Sequence, residues 1–119
     1  MKILFIDDSA EYLRSVNVSL GYSLKGHQII TAECHGVGEA VEAIRRAVPD
    51  VVFLDHHLTD EDAPDGIMVL DRLGEISARI FSTTSDPRFR AEYQQRGIVS
   101  VRKGDLAAIR EAVKGIQEG

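Results

Sequence analysis

The chain has 119 residues, a length that suits one domain, and its hydrophobic fraction of 44% is typical of a globular protein. Its formal net charge of −5 disfavours nucleic acid as a main ligand, because binding to a phosphate backbone needs a basic surface. A single cysteine excludes an internal disulfide, no apolar run is long enough for a membrane span, and the first residues are not typical of a signal peptide. We therefore expect a protein of the reducing cytoplasm.

The first third of the chain predicts two strands with a helix between them. Residues 3–6 form a β-branched and aromatic run, which is typical of a strand and ends abruptly at two acidic residues. Ser9 is placed to cap a helix whose apolar residues recur at helical spacing. A second strand is predicted over residues 28–32.

A second helix, a third strand and an acidic segment follow. The apolar face of this helix is predicted to be Val41, Ile44 and Val48. Pro49 ends the helix, because a proline cannot extend it. Residues 51–54 are four apolar residues in a row, which is typical of a strand covered on both faces. The acidic segment 59–65 is interpreted as a solvated loop insertion.

The second half of the chain predicts three helices and two strands. The strands are residues 79–83 and 98–101, and Pro87 is placed in the first turn of a helix that runs to about Gln95. Asp105 is placed to cap the last helix. The apolar faces of the third and fifth helices are predicted to be Ile67, Leu70, Leu73 and Ile76, and Leu106, Ile109, Val113 and Ile116.

Five strands that alternate with five helices specify an α/β domain, with a parallel sheet and helices on both of its faces. Polar residues follow four of the strands, namely Asp7, Asp8, Asp55, Thr83 or Thr84, and Lys103. The carboxyl ends of parallel strands meet at one edge of the sheet, where ligands bind in such folds. Three close carboxylates favour a hard divalent cation such as Mg²⁺, which leaves room for a phosphoryl group. The pattern therefore predicts a phosphoryl-binding site with a carboxylate nucleophile.

The ordered set of strand ends resembles the receiver domain of two-component response regulators over essentially the whole chain. The matching stretches are residues 3–8, 49–55, 79–84 and 101–103. The resemblance implies a flavodoxin-like, doubly wound sheet of five parallel strands in the order 2-1-3-4-5, with five helices. It also implies that residues 1–119 form a single receiver domain, and we expect no output domain.

The resemblance also implies roles for individual residues. Asp55 would take a phosphoryl group from a sensor histidine kinase, a phosphotransfer protein or a small phosphodonor. Thr83 and Lys103 would contact that group. The protein ligands of Mg²⁺ would be Asp7, Asp8, Asp55 and the backbone carbonyl of His57. We expect an acceptor rather than a turnover enzyme, which acts through a downstream protein partner or onward phosphotransfer, without nucleic acid or membrane.

Four further residues are expected to modulate the site: His57, Thr84, Ser85 and Ser100. His57 stands two residues after Asp55, where the resemblance implies a side chain that tunes hydrolysis of the acyl phosphate. Ser100 stands where many members of the family have an aromatic residue that swings on activation, and Gly104 where they often have a proline. The sequence therefore does not predict how phosphorylation would change the conformation.

Two other interpretations compete with this one. A degenerate receiver would serve as a phosphorylation-independent interaction module, which Ser100, Gly104 and the long acidic segment favour. The triplet Asp55-His56-His57 is also the signature of the DHH phosphoesterases, an enzyme class with two metal ions. That class, like the haloacid-dehalogenase phosphatases, expects spaced aspartates near the first strand, whereas those of this chain are adjacent.

Overall fold

A computed structural model describes residues 1–59, 63–84 and 86–118 of the chain. Its strands and helices alternate from end to end. They are β1 (Lys2–Asp7), α1 (Ala10–Ser23), β2 (Gln28–Glu33), α2 (Val37–Ala47), β3 (Val51–Leu54), α3 (Asp65–Leu73), β4 (Arg79–Ser82), α4 (Pro87–Gln95), β5 (Val99–Ser100) and α5 (Leu106–Glu118). No helix of this described part has the length and apolarity needed to cross a membrane.

The five strands form one parallel sheet in the order β2-β1-β3-β4-β5. This order confirms the predicted flavodoxin-like fold. The order reverses between β1 and β3, so the carboxyl ends of these neighbours flank a crevice. The register aligns Phe5, Phe53 and Phe81 across three strands, with successive ring centroids 4.8 Å and 5.0 Å apart.

Two hydrophobic clusters cover the two faces of the sheet. Alternate residues of β3 belong to different clusters, because successive side chains of a strand point to opposite faces. One cluster packs α2, α3 and α4 against the sheet, and the other packs α1 and α5 against it. The four residues of β3 are all buried, as the uninterrupted apolar run predicted. The central strands are therefore rigidly held, with their carboxyl ends at one rim.

The predicted helix starts are confirmed by their capping contacts. Ser9 precedes α1, and its side chain accepts a hydrogen bond from Tyr12 N at 3.2 Å. Pro87 begins α4, after Asp86 as the cap. The Asp105 carboxylate accepts a hydrogen bond from the backbone of the first turn of α5. These caps satisfy backbone N–H groups that have no partner within the helix.

Several predicted boundaries differ from the structure. Val48 does not lie on the apolar face of α2: it adopts a left-handed conformation (φ 46°) and is 70% exposed. The proline after it disfavours the helical conformation at this position. Ile76 lies beyond the end of α3, because Gly74 with a φ of 65° ends that helix. β4 ends at Ser82, and the edge strand β5 is only two residues long, Val99–Ser100.

Candidate functional site

Three carboxylates meet at the carboxyl ends of β1 and β3. Asp7 ends β1, Asp8 follows it, and Asp55 directly follows β3, where its backbone N–H donates to Ile6 O at 3.0 Å. One ligand atom from each of the three side chains lies within 4.8 Å of the others. Asp7 and Asp55 are buried, and Asp8 is half-buried. The structure thus brings together the three acidic residues that the sequence predicted.

Burial and mutual repulsion oppose the ionisation of these carboxylates. Burial first, and then the negative charge of Asp7, raise the pKa of Asp55 to about 7. Burial likewise raises the pKa of Asp7, although hydrogen bonds from Lys103 and the Ser9 backbone act against it. A bound divalent cation would remove this cost, and closely spaced carboxylate oxygens are the ligands that Mg²⁺ prefers. The donor set therefore fits Mg²⁺.

Lys103 supplies the positive charge of the site. Its Nζ lies 2.9 Å from Asp7 Oδ1, 2.8 Å from Asp7 Oδ2 and 3.8 Å from Asp55 Oδ2. The ammonium also lies over the ring of Tyr12, 4.9 Å from the ring centroid. Burial disfavours the charged lysine, but its hydrogen bond to Asp7 and the nearby carboxylates outweigh that effect and raise the pKa of Lys103. The lysine is thus held charged, with Asp7 as its closer partner.

Among the three consecutive hydroxyls at the end of β4, Thr83 differs from its neighbours. Its side chain is only 3% exposed, and its Oγ1 has no hydrogen-bond partner among the described residues. The hydroxyl of Ser82 accepts from Thr84 N at 3.3 Å, and that of Thr84 accepts from Asp86 N at 3.0 Å. A buried hydroxyl without a partner is costly, so Thr83 is the hydroxyl best suited to a ligand.

The predicted modulatory residues take different positions. His57 lies beside the site with its side chain 37% exposed, and its Nε2 is 3.6 Å from Asp86 Oδ2. Hydrogen bonds from Arg88 hold the pKa of Asp86 well below its usual range, so this carboxylate stays ionised. Ser100 is half-buried, and its Oγ has no hydrogen-bond partner within residues 1–59, 63–84 and 86–118. Ser85 lies outside the described residues.

Solved structures with the same architecture are receiver domains. The signal receiver domain of a DNA binding response regulator protein (merR) from Colwellia psychrerythraea matches with a TM-score of 0.78, covering 100% of this chain and 99% of that one at 18% identity. A two-component response regulator from Clostridium difficile matches with a TM-score of 0.76, covering 99% and 96% at 20% identity. The chemotaxis protein CheY4 of Vibrio cholerae matches with a TM-score of 0.69, covering 95% of this chain and 95% of that one at 19% identity. The chain has the receiver-domain fold.

One curated protein is similar to the chain in sequence. The sensory transduction protein LytT of Enterococcus faecalis is 34% identical over 88 residues, which cover 72% of this chain and 35% of that protein. The chain thus spans about a third of the length of the relative that it matches. No protein-family model matches the chain. The predicted resemblance to receiver domains is confirmed by these neighbours.

One carboxylate of this receiver fold departs from its sequence interpretation. Asp65 was assigned to a solvated acidic insertion, but it is buried and begins α3. Its Oδ2 accepts hydrogen bonds from Leu58 N at 2.9 Å, Thr59 N at 3.1 Å and Thr59 Oγ1 at 3.0 Å. Asp65 therefore stabilises the start of the loop that follows β3. The interpretation of this residue as solvated was wrong. Residues 60–62 lie outside the described residues.

The two histidines after Asp55 do not make a metal site of the phosphoesterase type. His56 is completely buried, and its Nδ1 is hydrogen-bonded to the hydroxyl of Tyr93 at 2.5 Å. Within the described part of the chain, the cluster of possible metal ligands contains the three aspartates and neither imidazole. The contact with Tyr93 was not predicted, because the two residues are 37 positions apart in the sequence.

Proposed function

We propose that this receiver fold is a phosphoacceptor in two-component signalling. Asp55 takes a phosphoryl group from a sensor histidine kinase or a phosphotransfer protein in the presence of Mg²⁺. A downstream protein then recognises the phosphorylated domain, or the phosphoryl group is passed on by phosphotransfer. One observation carries the proposal: a buried three-carboxylate cluster shares its rim with a charged lysine and with the unpartnered hydroxyl of Thr83.

Asp55 is the nucleophile in this mechanism. One carboxylate oxygen of Asp55 forms a bond to phosphorus while the P–N bond of the donor phosphohistidine breaks. The imidazole leaves with the electron pair of that bond, and the product is an acyl phosphate on Asp55. Later attack by water releases inorganic phosphate and regenerates the carboxylate. The chain is thus an acceptor that returns to its starting state, rather than an enzyme with a separate substrate.

Lys103 and Thr83 stabilise the charge that arrives with the phosphoryl group. Lys103 Nζ is already 3.8 Å from Asp55 Oδ2, so a small movement away from Asp7 brings it to a phosphoryl oxygen. The Thr83 hydroxyl can donate to a second oxygen without losing an existing hydrogen bond, because its Oγ1 has no partner in the described part of the chain. Donors that are already placed in a partly buried site need little reorganisation.

The residues that would hold Mg²⁺ are Asp7, Asp8, Asp55 and the backbone carbonyl of His57. When bound, the cation neutralises the carboxylates and the transferring phosphoryl oxygens. Asp55 must be ionised to attack, and burial together with the charge of Asp7 raises its pKa to about 7. The same cluster that would hold the cation thus explains why the reaction should require one.

Intact-mass spectrometry tests this proposal. The protein is incubated with acetyl phosphate, with and without Mg²⁺, and compared with the variant Asp55→Asn. Asp50→Asn is the matched control, because it removes an exposed carboxylate at the opposite end of the same strand. We expect one phosphoryl group on the wild type and on the control, in the presence of Mg²⁺ only, and none on Asp55→Asn. An adduct that persists on Asp55→Asn contradicts the assignment of the acceptor.

The absence of any adduct would favour the second candidate, a phosphorylation-independent interaction module. The observation behind this candidate is that Ser100, on the edge strand, is a small residue with a buried hydroxyl that has no partner among the described residues. Affinity capture with wild type and Asp55→Asn separates the two functions. Equal capture of one partner by both proteins, without phosphodonor, is the result expected of a module.

A further inference from the structure

A buried polar network lies directly beneath the rim of the site and is not used by the proposed reaction. Its centre is Tyr93 of α4, a fully buried tyrosine with 1% exposure. The Tyr93 hydroxyl is hydrogen-bonded to His56 Nδ1 at 2.5 Å, and His56 directly follows Asp55. The side chain of Ser82, which directly precedes Thr83, lies near the same hydroxyl and lowers its pKa, although burial outweighs this effect. One oxygen of α4 is therefore hydrogen-bonded to the residue that follows Asp55 and lies near the end of β4.

Each polar group of this network can act as a donor or an acceptor in a way that is consistent with its neighbours. Thr84 N donates to Ser82 Oγ at 3.3 Å, which leaves the Ser82 hydroxyl proton free to point to Tyr93. The Tyr93 hydroxyl then donates to His56 Nδ1. A neutral imidazole that accepts at Nδ1 carries its proton at Nε2, and that atom has no partner in the described part of the chain. A loss of the Tyr93 hydroxyl would thus leave the buried Nδ1 of His56 without its hydrogen-bond partner.

The Tyr93 hydroxyl is closely packed against Gly66. A Cβ added to Gly66, at the start of α3, would collide with this hydroxyl. Gly66 N also donates to the carbonyl of His56 at 3.0 Å. The ring of Phe89 packs against the ring of His56, with the ring centroids 4.0 Å apart. Phe89 and Tyr93 are one turn apart on α4, so two aromatic side chains of this helix contact His56, the residue after Asp55.

We propose that Tyr93 is a positioning residue, whose hydroxyl couples α4 to the phosphorylation state of Asp55 through His56 and Ser82. This inference rests on the proposed function. A phosphoryl group on Asp55 recruits the Thr83 hydroxyl, and any displacement of Thr83 moves the adjacent Ser82. Because the Tyr93 hydroxyl packs against Gly66 and is hydrogen-bonded to His56, a displacement at this point is passed to α4.

The coupling acts in both directions. If phosphorylation changes the position of α4, a partner that binds one position of α4 must change the stability of the acyl phosphate by the same free energy. The surface of α4 is then the place where a protein partner reads the site. Nothing in this step requires Tyr93 to touch the phosphoryl group.

The test compares the wild type with Tyr93→Phe, which keeps the buried ring and removes the hydroxyl. Tyr22→Phe is the matched control, because Tyr22 is an exposed tyrosine on α1. Hydrogen exchange of the α4 amides is measured for each protein before and after phosphorylation with acetyl phosphate and Mg²⁺. A purely structural role would change exchange equally in both states, so the phosphorylation-dependent difference is the decisive quantity.

We expect phosphorylation to change α4 exchange in the wild type and in Tyr22→Phe. We expect Tyr93→Phe to accept the phosphoryl group but to show that difference reduced about fivefold, the factor that one buried hydrogen bond is worth. Ser82→Ala keeps the bond to His56 and removes the link to β4, so it should also reduce the difference. This second variant decides the question if Tyr93→Phe does not fold.

Two results overturn the inference, and they are distinguishable. If the wild type is phosphorylated and the α4 difference is the same in the wild type, Tyr93→Phe and Ser82→Ala, the coupling through Tyr93 is wrong and the proposed function stands. If the wild type takes up no phosphoryl group, the proposed function fails and the coupling fails with it.

Discussion

Replacement of Asp55 by Asn should stabilise the metal-free protein at neutral pH. The pKa of Asp55 is 3.8 in the absence of burial and about 7 in the folded protein. The folded state therefore binds this proton more tightly than the unfolded chain does. The stability that results is fully present below about pH 4 and is lost as the pH rises through 7. The difference in pKa corresponds to about 4 kcal/mol. Burial of the new amide offsets part of this gain, so we expect the free energy of unfolding at neutral pH to rise by about 2 kcal/mol.

Urea denaturation monitored by circular dichroism, with EDTA present, measures this effect at pH 4 and pH 8. The free energy of unfolding of Asp55→Asn should be about 2 kcal/mol lower than that of the wild type at pH 4, where only the burial of the amide counts, and about 2 kcal/mol higher at pH 8. Glu75→Gln is the control, because Glu75 is exposed and the substitution changes the net charge equally. A gap between variant and wild type that is the same at both pH values would refute the reasoning. Mg²⁺ should stabilise the wild type at pH 8 more than it stabilises Asp55→Asn.

Three further predictions test separate parts of the structure. Tyr12→Leu removes the ring beneath the ammonium of Lys103 and should slow phosphoryl uptake about threefold in a mass-spectrometric time course, while Tyr22→Leu should not. Asp65→Ala removes the acceptor of three hydrogen bonds and should lower the free energy of unfolding by about 2 kcal/mol in urea titrations. Leu20→Ala in the core of α1 should cost about 3 kcal/mol in the same assay and leave Mg²⁺ affinity unchanged.

The carboxylate cluster was predictable because the topology of a parallel sheet does most of the positioning. A buried apolar strand followed at once by a carboxylate can place that carboxylate only at the carboxyl edge, and this held for Asp7 and Asp55. Lys103 was placed by the same reasoning and lies within 3 Å of Asp7. The sequence could not tell which carboxylate the lysine prefers, since that depends on distances of about 1 Å set by packing.

The features that the sequence did not predict all depend on contacts between distant residues. Tyr93 and Phe89 are one turn apart on α4, which indicates a common face but not the imidazole that this face meets. Asp65 belongs to a run of acidic residues, and composition alone favours solvent for each of them. Only the backbone path after β3 turns the amides of Leu58 and Thr59 toward this one carboxylate.

The charge balance of the site would let one lysine serve both states of Asp55 that the proposed function requires. Three ionised carboxylates and one ammonium leave the site with two excess negative charges, which a divalent cation balances. Under the proposed function, phosphorylation would replace the single charge of Asp55 by about two charges on the phosphoryl oxygens. The new excess would lie on the side of Asp55, whose Oδ2 is 3.8 Å from Lys103 Nζ, whereas the charge of Asp7 would be unchanged. We therefore expect the lysine to move from Asp7 toward the phosphoryl group, with a shorter contact to Asp55 in the phosphorylated state.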